Sequence, residues 1–105
     1  MNCISCHNIG NSVLCGFCAK HATKGMHKRA NSIWHELVVQ SDQCWHCGRT
    51  FPRDMLCGDH LITKGSRPDL RYDIRVGVSC CKECNTSGSK YRKQPSEEFL
   101  SQFRP

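Results

Sequence analysis

The sequence predicts a small zinc-stabilised α+β domain, and three observations predict it. Ten cysteines stand among 105 residues, and eight of them fall into four Cys-x-x-Cys pairs. Hydrophobic residues make up 38% and aromatics 8% of the chain, a core thin enough to need a staple. Residues 44–85 place two of the pairs, Cys44/Cys47 and Cys81/Cys84, on either side of an Asp59-His60 dipeptide, with Asn85 directly after the last cysteine.

Four thiolates complete the tetrahedral shell of Zn²⁺ and leave no position for a substrate, so Cys44, Cys47, Cys81 and Cys84 are expected to fix geometry. No apolar signal segment and no bilayer-length apolar run are visible, so an intracellular, cytoplasmic protein is expected. In that compartment such pairs are more often zinc ligands than disulfides; a secreted disulfide scaffold is the alternative. Fifteen Lys and Arg against nine Asp and Glu give a formal net charge of +6, which favours nucleic acid as partner. Two four-thiolate zinc sites, each about −2, would offset much of that, so the distribution of charge matters more than its sum.

The chain divides into a knuckle over residues 1–21, a linker helix over 22–41 and a third segment over 42–105 with a C-terminal helix. Cys3, Cys6, Cys15 and Cys18 are expected to form a second structural zinc site, the pairs being joined through a tight turn at Gly10 and Asn11. His7 or His21 replacing a thiolate, and early pairs sharing a metal with late ones, are the alternatives. Met26, Ala30, Ile33, Trp34, Leu37 and Val38 recur at helical spacing, with a break at Asn31 or Ser32 as an option. Beyond Cys47 a hairpin is expected: residues 55–57 and 61–62 flank Asp59-His60, while Tyr72, Ile74, Val76 and Val78 alternate as a second strand. Residues 63–69 form a basic loop, residues 86–89 interrupt any helix begun at Cys81, and Ser96 caps a helix that buries Leu100 and Phe103.

Asp59, His60 and Asn85 offer a carboxylate, an imidazole and a carboxamide, the groups that a hard divalent cation and a general base require. Neighbours on a strand face opposite ways, so for Asp59 and His60 to share a site a bend or the strand end must lie there, and Gly58 makes a bend cheap. Lys64, Arg67, Arg71, Arg75, Lys90, Arg92 and Lys93 are the candidate phosphate contacts, and Tyr91 or Trp45 a candidate base-stacking side chain. Lys24, Lys28 and Arg29 are further candidates on the linker helix. Cys57 and Cys80 read as small buried hydrophobes.

Together these residues resemble the HNH, or ββα-metal, endonucleases, and among them the zinc-bracketed kind related to lambdoid-phage recombination endonucleases and endonuclease VII-like resolvases. The likeness covers roughly the last sixty residues and is carried by Cys44 and Cys47, His60, Arg71-Tyr72-Asp73, Cys81, Cys84 and Asn85. It implies a ββα-metal core and a metal-dependent DNA endonuclease of phage or mobile-element origin. His60 would be the base, and Asp59 and Asn85 would hold one Mg²⁺ or Mn²⁺ beside two structural Zn²⁺. Two positions depart from the pattern: the middle asparagine falls at Val76, leaving Asp73 as the candidate brace, and Gly88 and Ser89 stand where relatives carry a further His or Asn. The competing readings are a non-catalytic zinc module for nucleic acid or protein, and a subunit that regulates a larger assembly. The apolar face of residues 26–38 is where a second copy or a protein partner would dock.

Overall fold

The computed structural model describes residues 1–86 and 90–104. Its elements are α1 (Gly16–His21), α2 (Lys24–Val38), β1 (Leu56–His60), β2 (Gly77–Cys81), α3 (Lys82–Asn85) and α4 (Glu97–Ser101), with tight 3₁₀ turns at Arg53–Met55, Pro68–Leu70 and Ile74–Val76. No helix among the described residues is long and apolar enough to cross a membrane.

Helix α2 starts where Thr23 accepts a hydrogen bond from Met26 N and runs unbroken to Val38. Asn31 and Ser32 do not interrupt it, because both side chains lie on the exposed side. Its inner face buries Ala30, Trp34 and Val38 in a core completed by Val13, Leu14 and Tyr72. The expected docking face is therefore already covered by this chain, with Leu37 at its edge.

Strands β1 and β2 pair antiparallel, Leu56 opposite Cys81 and His60 opposite Gly77. Strand alternation puts Cys57, Asp59, Val78 and Cys80 on one face and Gly58, His60, Gly77 and Ser79 on the other. The second face lies beneath α2. A methyl group added at Gly58 would come within 2.6 Å of Trp34 Cζ3 and 2.9 Å of His35 Nδ1. One added at Gly77 would meet Val38 Cγ2 at 2.5 Å and Trp34 Cζ2 at 2.6 Å. Gly58 thus serves close helix–hairpin packing and no bend forms there; the strand instead ends at His60, with Asp59 and His60 still on opposite faces.

The second strand begins later than the alternation of residues 72–78 implies. Asp73 accepts from Arg75 N and Nε at 2.9 and 3.0 Å and curls residues 73–76 into a turn. That turn docks on the N-terminal loop through Val13 N to Tyr72 O (3.0 Å) and Ile74 N to Asn11 O (2.9 Å). Tyr72 and Val76 are consequently buried without belonging to a strand. At the other end Ser96 caps α4 by accepting from Phe99 N at 3.1 Å; Phe103 is buried and Leu100 half-buried.

Overpacking at the two hairpin glycines supplies a stability test. Gly58→Ala and Gly77→Ala are each expected to cost about 1–3 kcal/mol. Gly25→Ala, which meets no atom within 4 Å in the exposed first turn of α2, is expected to be neutral or stabilising. Urea unfolding of the zinc-replete chains measures the difference.

Candidate metal centres and active site

The cysteines assemble sequentially. Ligand atoms of Cys3, Cys6, Cys15 and Cys18 lie within 4.8 Å of one another, as do those of Cys44, Cys47, Cys81 and Cys84. A tetrahedron with Zn–S bonds of about 2.3 Å has edges of about 3.8 Å. The Sγ atoms of Cys6 and Cys15 stand 3.8 Å apart. Both groups fit a closed tetrahedral ion such as Zn²⁺, and His7 and His21 belong to neither.

The two sites repeat one device. In each first pair the chain turns back on itself, His7 N donating to Cys3 O (3.0 Å) and Gly48 N to Cys44 O (2.9 Å). The residue after the second cysteine is left-handed in both, His7 at φ 67° and Gly48 at φ 77°. Single antiparallel bridges, Asn2 to Ile9 and Gln43 to Thr50, close each turn. In each second pair the leading cysteine, Cys15 or Cys81, is the N-cap of a short helix that carries the trailing one. Helix α1 follows Cys15; Phe17, Ala19, Lys20 and His21 favour it, although it begins on Gly16.

The thiols are arranged to be ionised by a cation. Burial raises Cys3, but the backbone amides of Cys15, Cys6 and Ser5 outweigh it and bring the thiol down to about 6. At Cys47 burial is likewise outweighed, by the side chain and backbone of Arg49, again giving about 6. Burial and their neighbouring thiols push Cys18 and Cys84 up to about 12. Four clustered thiols without a metal cannot all carry charge, and a divalent ion removes that conflict. By contrast Cys57 and Cys80 lie outside both groups and are raised by burial and then by the Asp59 charge, which leaves them protonated.

His60 ends β1 on the face beneath α2. Its ring stacks on Trp34 with centroids 4.1 Å apart and planes 8° from parallel, and its Nε2 donates to Arg71 O at 2.8 Å. A carbonyl only accepts, so Nε2 carries the proton and Nδ1 keeps its lone pair. Burial holds His60 below the usual histidine value, the Arg71 carbonyl opposing in part, so the neutral form prevails at pH 7. The loop that supplies this carbonyl is fixed by Asp73, whose backbone oxygen accepts from Trp34 Nε1 at 3.0 Å. Buried Val76, where the family pattern has asparagine, contributes only its backbone, its carbonyl accepting from Leu61 N at 2.8 Å.

Asp59 faces the other way. Its Oδ2 accepts from His46 Nε2 at 2.8 Å and from Arg92 at 3.0 Å. His46 Nδ1 in turn accepts from Lys93 N at 2.9 Å, and Arg92 also donates to Cys84 O at 3.0 Å. His46 went unnoticed in the sequence because it sits inside the first cysteine pair; its unusual feature is an imidazole between two zinc thiols. His46, Asp59 and Cys80 bring ligand atoms within 4.8 Å of one another. The Lys93 amide obliges His46 Nε2 to carry the proton, however, so this trio is a satisfied hydrogen-bonded cluster.

Asn85 ends α3 and is exposed, one residue beyond the Cys84 carbonyl that Arg92 holds. The structure therefore places Asp59 and His60 on opposite faces of the hairpin and Asn85 at the Arg92 side. Gly88 and Ser89 lie outside the described residues. Among the candidate phosphate contacts, Arg67 is held by Asp69, Arg75 by Asp73 and Arg92 by Asp59. Lys64, Arg71, Lys90 and Lys93 enter no ion pair among the described residues; Lys93 Nζ lies 5.2 Å over the Trp45 ring, Lys90 Nζ 5.1 Å over Tyr91 and Arg71 5.1 Å over Tyr72. No family model, no curated protein and no solved structure matches the chain.

Elemental analysis of the purified chain is expected to find two zinc ions per molecule. Cys84→Ser, and separately Cys18→Ser, are expected to lower this to one. Because each ligand must be deprotonated, zinc affinity should fall as pH falls, which a chelator competition series between pH 8 and 5 measures.

Proposed function

We propose that the chain is a metal-dependent DNA endonuclease of the HNH, or ββα-metal, kind, of phage or mobile-element origin and acting in DNA recombination, processing or packaging. The observation that carries this reading is His60: neutral, stacked flat on Trp34, with Nε2 committed to the Arg71 carbonyl and Nδ1 left as a base. The same hydrogen bond would steady a histidine that only packs, so what singles out a base is the lone pair left on Nδ1. A base for hydrolysis at neutral pH requires it.

On this reading His60 Nδ1 takes a proton from water, whose oxygen bonds to phosphorus as the bond to the 3′-oxygen breaks. A divalent cation held by Asp59 and Asn85 would supply positive charge for the phosphate and the departing oxygen only once the end of β1 turns Asp59 toward the face that carries His60. Lys64, Arg71, Lys90 and Lys93 would hold neighbouring phosphates. Trp34 and Asp73 would do for the loop what the family's middle asparagine does, fixing the carbonyl that orients the base. Arg92 must release Asp59 before a cation can bind there.

One observation favours a second reading. Asp59 is 9% exposed and already bonded to His46 and Arg92, as a structural carboxylate in a non-catalytic nucleic-acid module would be. Nicking of supercoiled plasmid separates the two. Cutting should require Mg²⁺ or Mn²⁺, and His60→Ala should reduce it by about 10²–10⁴-fold with zinc content unchanged. Protonation of His60 abolishes the base, and its depressed value places the acid limb of the rate profile below the ordinary 6.5. Zinc-replete protein that binds DNA without cutting it would establish the module instead.

A further inference from the structure

The net positive charge of the chain, though carried there by only four of its fifteen Lys and Arg, is concentrated where the nuclease reading makes no use of it. Residues 1–35 contain four Lys and Arg and no Asp or Glu, and all four cations lie between positions 20 and 29. Four thiolates around the first metal would offset about half of that charge, so a net surplus remains. Lys20, Lys24, Lys28 and Arg29 are exposed. Lys24, Lys28 and Arg29 enter no ion pair among the described residues, and Lys24 and Lys28 lie one helical turn apart on α2. Asp69, whose carboxyl Lys20 helps to lower, is already held by Arg67.

On α1, one turn before Lys20, stands an aromatic ring with no role in the core. Phe17 is 74% exposed in the first turn of α1, and His21, one turn on, meets its ring with centroids 4.9 Å apart. Leaving a phenyl face in water forgoes the burial free energy that most such rings gain. The neighbouring zinc cluster fixes the backbone that presents it, because Cys15 caps the same short helix and Cys18 lies within it.

We propose that the N-terminal zinc unit is a second nucleic-acid contact, separate from the hairpin: Lys20, Lys24, Lys28 and Arg29 follow the phosphates of one strand, and Phe17 receives an unpaired base. A base inside a continuous duplex cannot reach an outward-facing ring, whereas one in an overhang, fork or branch can, and stacking tolerates any base. The surface therefore selects DNA that combines duplex with unpaired nucleotides. The inference rests on nucleic-acid binding in the reading above, and not on cutting.

Fluorescence anisotropy of the full chain without added Mg²⁺ tests it, using a blunt duplex and the same duplex with a single-stranded fork. The fork is expected to bind more tightly. Phe17→Leu should reduce that preference roughly ten-fold while leaving the blunt duplex nearly unchanged. Lys24→Gln with Lys28→Gln should make the dependence of log K on log salt shallower by about two, and arginine at both positions should restore it. Equal losses on both DNAs from Phe17→Leu, or an unchanged salt slope in the double variant with zinc retained, would overturn the proposal. So would displacement of the DNA by polyglutamate at equal charge concentration, which would mark a surface for acidic protein. Binding is read here without Mg²⁺ and cutting in the plasmid assay, so failure of the nuclease reading and failure of this one are told apart.

Discussion

The fit of the Trp34 indole against two glycines is the constraint on which the remaining geometry depends. Its ring fills the space that Cβ atoms at Gly58 and Gly77 would occupy, its N–H holds the backbone of Asp73, and its face supports His60. One side chain thereby joins the long helix, both strands and the connecting turn. A smaller residue would leave a cavity and remove the support beneath the imidazole together. The usual separation between a residue that stabilises and one that positions does not hold at this point.

The two four-cysteine groups border that assembly, Cys3 and Cys18 lying in the same core as Trp34. Each fixes a turn and the start of a short helix, and neither supplies an open coordination position. Their role is to replace core that a chain of this size lacks. Charge follows the same division: a cationic N-terminal unit with no acid of its own precedes a segment in which most arginines are already matched to carboxylates.

Much of this was legible beforehand, and the limits were physical. Cysteine spacing revealed both four-thiolate sites because metal coordination is a local geometric requirement. Helical periodicity located α2, and Ser96 located the start of α4. The late start of β2 was hidden because Asp73 folds an alternating stretch into a turn, and alternation alone does not report a capping carboxylate. The surroundings of Asp59 were hidden for a different reason. His46 passed unnoticed between two cysteines, Arg92 read as a phosphate contact, and only long-range folding brings both onto one oxygen.

The duplicated cysteine device carries a consequence for assembly. The loop between Cys6 and Cys15 is short and lies wholly within the first segment, while that between Cys47 and Cys81 is about four times as long and contains the whole hairpin. Closing the longer loop costs about 1 kcal/mol more in chain entropy. During synthesis the first four thiols are complete before the hairpin has emerged, and the second four only after it. A first four-cysteine group is therefore available to an ion while the second is still incomplete, so identical coordination chemistry becomes possible at two separate stages of synthesis.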